Sequence, residues 1–231
     1  MNAETPKAAE LNLPQAFLLL ATNDITGKPE IPVFALRTTL AGAILAELDL
    51  IGAIELQGKR IRATGTAPTT DLQHELELIR GKSRPHAPKR WVSMLEGRAE
   101  VQRVYERMVS LGIVEQIGEK HLGLFRSVRY PEKDHGPEAA LLKKIQAALS
   151  VVLSDAREPD ATTPDAKPEA EAPDAGAPDS MAPDDGEPDA KAPDAMAPDV
   201  GATDPRITAL IALLQAAGLF GKLFPAGRSA L

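Results

Sequence analysis

Seven prolines spaced five residues apart, from Pro168 through Pro173, Pro178, Pro183, Pro188 and Pro193 to Pro198, decide where this chain can build a core. Each lacks a backbone donor and turns the residue before it away from the helical region. The residues between them are mostly Ala, Asp and Gly, which carry too little apolar surface to offset the entropy of ordering the chain. A five-residue period suits a stacked solenoid only with large apolar residues at the repeat positions, and these are missing. Residues 154–204 are therefore expected to be a disordered Pro/Asp/Ala-rich insertion, an extended acidic linker. The tract also hides the charge of everything else. It holds 15 Asp/Glu against 3 Lys/Arg, a net of −12, whereas the whole chain is −7, so the remainder carries +5. A mildly basic body wears an acidic strap. That body, residues 11–153 plus 205–225, has the length of one domain behind a flexible N-terminus at 1–10.

Composition excludes several chemistries. With no cysteine there is no disulfide framework, thiol catalysis or Cys-ligated zinc, which fits a cytoplasmic protein. No basic n-region or A-x-A site precedes the short run Phe17–Ala21, so no secretory signal is expected. The most membrane-like stretch, Ile207–Phe224, is interrupted by Gln215, Gly218, Gly221 and Lys222 and reads as a buried core helix. Gly81-Lys82-Ser83 lacks the glycine a phosphate loop needs five positions earlier, where Leu76 stands. The histidines at 74, 86, 121 and 135 never pair at metal-ligand spacing, and no nucleophile elbow or dinucleotide fingerprint occurs. No enzyme, metal or cofactor is expected.

The fold class predicted is mainly α: a helical bundle with two β-hairpins, interrupted by the insertion. Helices are expected at Leu13–Ala21, Val33–Leu50, Thr70–Arg80, Pro88–Leu95, Ala99–Leu111, Pro137–Leu153 and Arg206–Leu214. Val33–Leu50 is apolar around most of its circumference, which suits a central helix. Val101, Val104, Met108 and Leu111 form a stripe at helical spacing, and Trp91 is expected in the core. At Gly52 and again at Gly112 the helical period stops and alternation begins, which reads as a helix ended by a left-handed glycine and followed by a hairpin. A helix–hairpin unit used twice is one implication.

Arg98, Arg103 and Arg107 share one helix, while Lys120, Arg126 and Arg129 border the second hairpin. An ordinary charged surface is the plain account. An anion-binding face beside an apolar hairpin is the sharper one. It suits peripheral docking on an anionic membrane, where each surface-near cation contributes about 1 kcal/mol. The same layout suits a winged helix on nucleic acid, with Lys59, Arg60 and Arg62 on the first wing touching phosphates.

The ordered blocks LNLPQAFLLLATNDITGK, LAGAILAELDLIGAIEL, APTTDLQHELELI, RVYERMVSLGIVEQ, HLGLF and RYP, closed by DPRITALIALLQAAGLFGKLF, resemble the Golgi phosphoprotein 3 family. The resemblance covers 11–153 and 204–224. It implies a helical bundle with a protruding apolar hairpin, acting without catalysis as a peripheral membrane protein on phosphatidylinositol 4-phosphate, on the cytosolic membrane face. It leaves room for a protein client, since eukaryotic members hold glycosyltransferase tails, and no nucleic acid is expected on it. The alternatives remain a winged-helix nucleic-acid binder and a helical adaptor. By resemblance the membrane-contacting hairpin is Ile113–Phe125, with Ile113, Val114, Ile117, Leu122, Leu124 and Phe125 as its apolar contacts. The family's headgroup tryptophan and three arginines fall on Pro32, Ala41, Gln102 and Tyr105, so none of the four is kept. Arg37 precedes Ala41 by four residues and Arg98 precedes Gln102 by four, and residues so spaced share a helix face. Arg37 and Arg98, with Arg103, Arg107, Arg126 and Arg129, are thus the candidate headgroup ligands of a shifted pocket.

Overall fold

The computed structural model describes residues 11–65, 68–121, 125–155 and 204–225. The expected flexible N-terminus, residues 156–203 of the expected linker, and Leu122 and Leu124 lie outside them. The described residues form eight helices and two separate antiparallel hairpins. The predicted class is the one found.

The chain enters at α1 (Leu13–Leu20), where Asn12 caps the helix in a reciprocal pair with Gln15 and Pro14 occupies the first turn. Every residue of α1 is buried, and it packs against α2 (Val33–Leu50), α5 (Arg98–Ser110), α6 (Gly136–Asp155) and α7 (Pro205–Ala216). α2, expected to be central, packs on α1, α4, α5, α7 and β1, and none of its residues from Thr39 to Leu48 is exposed; only residues near its two ends reach solvent. Helix α3 (Gln73–Arg80) buries Leu76 and Ile79, and α4 (Pro88–Leu95) buries Trp91 and Leu95 as its spacing predicts. The membrane-like stretch divides into α7 and the short α8 (Phe220–Leu223), both giving residues to the core. Among the described residues, no helix is long and apolar enough to cross a membrane.

Three helices end in one way. Gly52, Gly112 and Gly218 adopt φ values of 68°, 76° and 73°. The residue after each donates to the carbonyl five back: Ala53 to Leu48, Ile113 to Met108, Leu219 to Leu214. After Gly52 the first hairpin starts at once, pairing β1 (Ile54–Gln57) with β2 (Arg60–Ala63) around Gly58. After Gly112 the chain first makes a stem, with Glu115 N–H on the Pro131 carbonyl and Lys133 N–H on the Ile113 carbonyl. Only then do β3 (Ile117–His121) and β4 (Phe125–Arg129) pair, Ile117 facing Arg129. The second hairpin thus extends past the expected Ile113–Phe125 on its return strand. Its foot corrects another expectation: Ile113 and Val114 are buried and belong to the core, out of reach of a bilayer.

Candidate functional site

A cavity of about 350 Å³ opens where the first turns of α2 and α5 meet the second hairpin. Among the described residues its charged lining is Arg37 and Arg98, and no carboxylate lines it. Arg37 stands one turn into α2, and Arg98 opens α5 after the extended Gly97. Among the described residues neither forms an ion pair. Gln102 lines the same cavity from the next turn of α5, so the two arginines predicted by helix spacing do converge. Ala41, by contrast, is fully buried one turn deeper in α2.

The cavity is also bounded by two aromatic rings. Tyr105 and Tyr130 stack with centroids 4.0 Å apart and planes 3° from parallel. The Thr22 hydroxyl lies 2.6 Å from the Leu18 carbonyl, which takes its proton, so the Tyr105 hydroxyl donates to Thr22 at 2.7 Å. Burial pushes the Tyr105 phenol up to about 12, which keeps it a neutral donor. Burial raises the Tyr130 phenol as well.

A turn carried by residues 22–29 makes one wall. Gly27 sits at φ 62°, its carbonyl accepts Tyr130 N–H at 3.0 Å, and a Cβ there would lie 2.3 Å from the Pro131 nitrogen. Behind this wall Asp24, Glu132 and His135 bring polar atoms within 4.8 Å of one another. Two of the three residues are exposed, and Glu132 already engages His135.

The rim is apolar. Phe34 is 75% exposed and Val33 56%, on the first turn of α2. Across the opening, Val128 of β4 is exposed, while Ile117 of β3 is exposed on the hairpin's other face, with its pairing partner Arg129. Val33 and Val128 line the cavity itself.

The other predicted cations separate from this place. Arg107 makes a two-point pair with Asp71, Nη2 at 2.9 Å and Nε at 3.0 Å. Arg103 bonds Glu100 at 2.6 Å and Glu75 at 3.3 Å. Both lie beside a small cleft near α3, and their charge is spent on neighbouring carboxylates. Neither lines the cavity that Arg37 and Arg98 share. Arg126, Arg129 and Phe125 belong to β4, with Arg129 at its end opposite Ile117 and next to the cavity residue Tyr130. Sequence reasoning missed Tyr105, Tyr130 and Gln116 as cavity residues, along with the exposed Val33–Phe34 turn. Pro32-Val33-Phe34, apolar residues at a helix start with no partner face, is the signal that was available.

The family model for Golgi phosphoprotein 3 matches residues 13–230, and the chain belongs to that family. That membership is compatible with a non-enzymatic, lipid-binding role. No curated protein matches the chain.

Proposed function

We propose that this member of the Golgi phosphoprotein 3 family is a non-enzymatic, peripheral membrane protein. It docks on the cytosolic face of an anionic bilayer by taking a phosphorylated lipid headgroup between Arg37 and Arg98. One observation carries this reading: among the described residues, two arginines without ion pairs share a cavity that no carboxylate lines and that exposed apolar residues flank. Guanidinium groups suit phosphate because they donate in a rigid planar fork. Gln116 and Tyr130 supply neutral polar groups around them, while the Gln102 amide already donates to Glu106 and the Tyr105 hydroxyl to Thr22. Val33, Phe34, Ile117 and Val128 then enter the interfacial layer, each contributing through buried apolar area. The inserting element is accordingly the start of α2 together with the sides of the second hairpin, in place of Ile113 and Val114.

Family membership and the arginine pair support a phosphorylated headgroup, with phosphatidylinositol 4-phosphate the first to test although the family's usual ligands are replaced here. Flotation with vesicles of phosphatidylcholine alone, with added phosphatidylglycerol, and with added phosphatidylinositol 4-phosphate tests the reading. Arg37→Ala and Arg98→Ala should each weaken anionic vesicle binding about fivefold, the equivalent of about 1 kcal/mol per cation. A double variant that floats as the parent does would end the proposal. Stronger binding to the phosphoinositide than to phosphatidylglycerol at equal charge would assign the lipid.

A further inference from the structure

A second concentration of positive charge lies elsewhere on the body. Lys59, Arg60 and Arg62 on the first hairpin, Arg80 at the end of α3, Lys82 and Arg84 in the following loop, and Lys89 and Arg90 in the first turn of α4 are all exposed. The two segments form one surface, since Ile61 N–H donates to the His86 carbonyl at 2.8 Å and Arg60 reaches the Pro85 carbonyl at 3.3 Å. None of the eight cations forms an ion pair among the described residues. The one carboxylate on these two stretches, Glu55, is engaged by Gln57. The N-terminus of α4 has no side-chain cap and no acid in its first turn, so its dipole adds to the same field. Eight like charges with a single carboxylate, Glu55, among them repel one another on balance, and a polyanion laid across them relieves that repulsion.

This face and the cavity occupy opposite ends of α2, about 27 Å apart for 18 residues at 1.5 Å each. It is therefore a second site. Its surroundings point to an occupant. Arg206, in the first turn of α7, is fixed to Glu47 at 2.6 and 3.1 Å. Glu47 lies in the last turn of α2, just before the first hairpin. Asp204, which caps α7, is thus held at the end of α2 that carries the basic face. Residues 156–203 join the chain at that point. They hold 13 Asp/Glu against 3 Lys/Arg, a net of −10.

We propose that the face formed by Lys59, Arg60, Arg62, Arg80, Lys82, Arg84, Lys89 and Arg90 is the intramolecular docking surface for the acidic tract 156–203. The contact is electrostatic and needs no register, because the tract presents an acid every few residues. Reach is ample, since 48 residues span more than 100 Å when extended, at about 3.3 Å each. The face offers no exposed aromatic ring for stacking on a base, which favours an acidic peptide over single-stranded nucleic acid. The tract binds away from Arg37 and Arg98, so the lipid site stays open while the face is neutralised.

Zero-length carbodiimide crosslinking of the full-length protein at low micromolar concentration tests this. Tract carboxylates should couple to Lys59, Lys82 and Lys89 several-fold more often than to Lys28, Lys133, Lys143, Lys144 or Lys222. These links should disappear in about 1 M salt, where the screening length falls to about 3 Å. A mixture of isotopically light and heavy chains separates the same chain from a second copy. A Lys59→Glu/Arg60→Glu/Arg62→Glu variant should lose the links at Lys82 and Lys89, yet keep the vesicle binding that depends on Arg37 and Arg98. Links spread evenly over all lysines, or predominantly between light and heavy chains, would overturn the proposal. So would a heparin, duplex DNA or anionic-vesicle affinity of the face that is the same with and without residues 156–203. If the face proposal failed while Arg37→Ala and Arg98→Ala still weakened flotation, the lipid reading would be untouched.

Discussion

Glu138 stands in the first turn of α6 with Asp24, Glu132 and His135 around it. Burial, then the charges of Asp24 and Glu132, push its carboxyl up to about 7, partly offset by His135. Glu132 is raised for the same leading reason. A carboxyl whose folded pKa exceeds its unfolded value binds more protons in the fold, so its contribution weakens as pH rises. The window runs from the ordinary carboxylate range near 4.5 up to about 7, the folded value. Glu138→Gln removes the titrating charge while keeping the shape. It should raise the melting temperature at pH 8, with the gain shrinking to nothing below about pH 4.5. Thermal melts of both proteins across that range check the prediction, and a gain independent of pH would contradict it. Arg103 and Arg107 teach the complementary lesson. Their partners Glu75 and Asp71 are 28 and 36 residues away, so helix spacing showed which face the arginines share but not what already sits there.

At the level of elements, α2 and α4 begin and end at the predicted residues because proline, a polar break or a left-handed glycine marks each boundary locally. α6 runs two residues past the predicted end, since nothing in Leu153-Ser154-Asp155 forbids another half-turn. The second hairpin was legible as a hairpin and not as a stem. Ile113 and Val114 continue the apolar alternation into the core, and periodicity alone cannot distinguish a buried strand foot from an exposed one. The cavity itself was half legible. Arg37 and Arg98 emerged from their spacing to Ala41 and Gln102, while the Tyr105–Tyr130 stack joins two elements only the fold brings together. What holds that junction is the close approach at Gly27. Gly58 has the same left-handed backbone, φ 60°, yet open space where a Cβ would go. Gly58→Ala should therefore cost about 1 kcal/mol from backbone strain alone. Gly27→Ala must also displace the Pro131 backbone, and should cost roughly 2–4 kcal/mol. Urea unfolding of the two variants measures the difference, and equal costs would mean the turn does not depend on that contact.

For the whole molecule, the question is how α7 belongs to a body that the chain leaves at Asp155. Ile207, Leu210 and Leu214 are buried against α1, α2 and α6, so the bundle lacks part of its core until α7 is in place. The approach is fixed by one carboxylate. Glu47, 5% exposed as a side chain, accepts Leu13 N–H at 2.9 Å and both donors of the Arg206 fork. It thereby ties the start of α1 and the start of α7 to the end of α2. Removing the arginine leaves a buried acid with a single donor, and such a loss is costly; with Arg206 partly exposed, Arg206→Ala should destabilise by about 2–3 kcal/mol. Because α7 is retained by buried apolar contact and this fork, covalent continuity through 156–203 is not what keeps it there. A protease site placed within that tract and cut after folding should leave the fragments ending before and beginning after it together on size-exclusion chromatography. Adding Arg206→Ala to the cut protein should release the second fragment at lower denaturant. Separation of the fragments on cleavage alone, in native buffer, would show instead that the tether supplies the stability assigned here to the Glu47 junction.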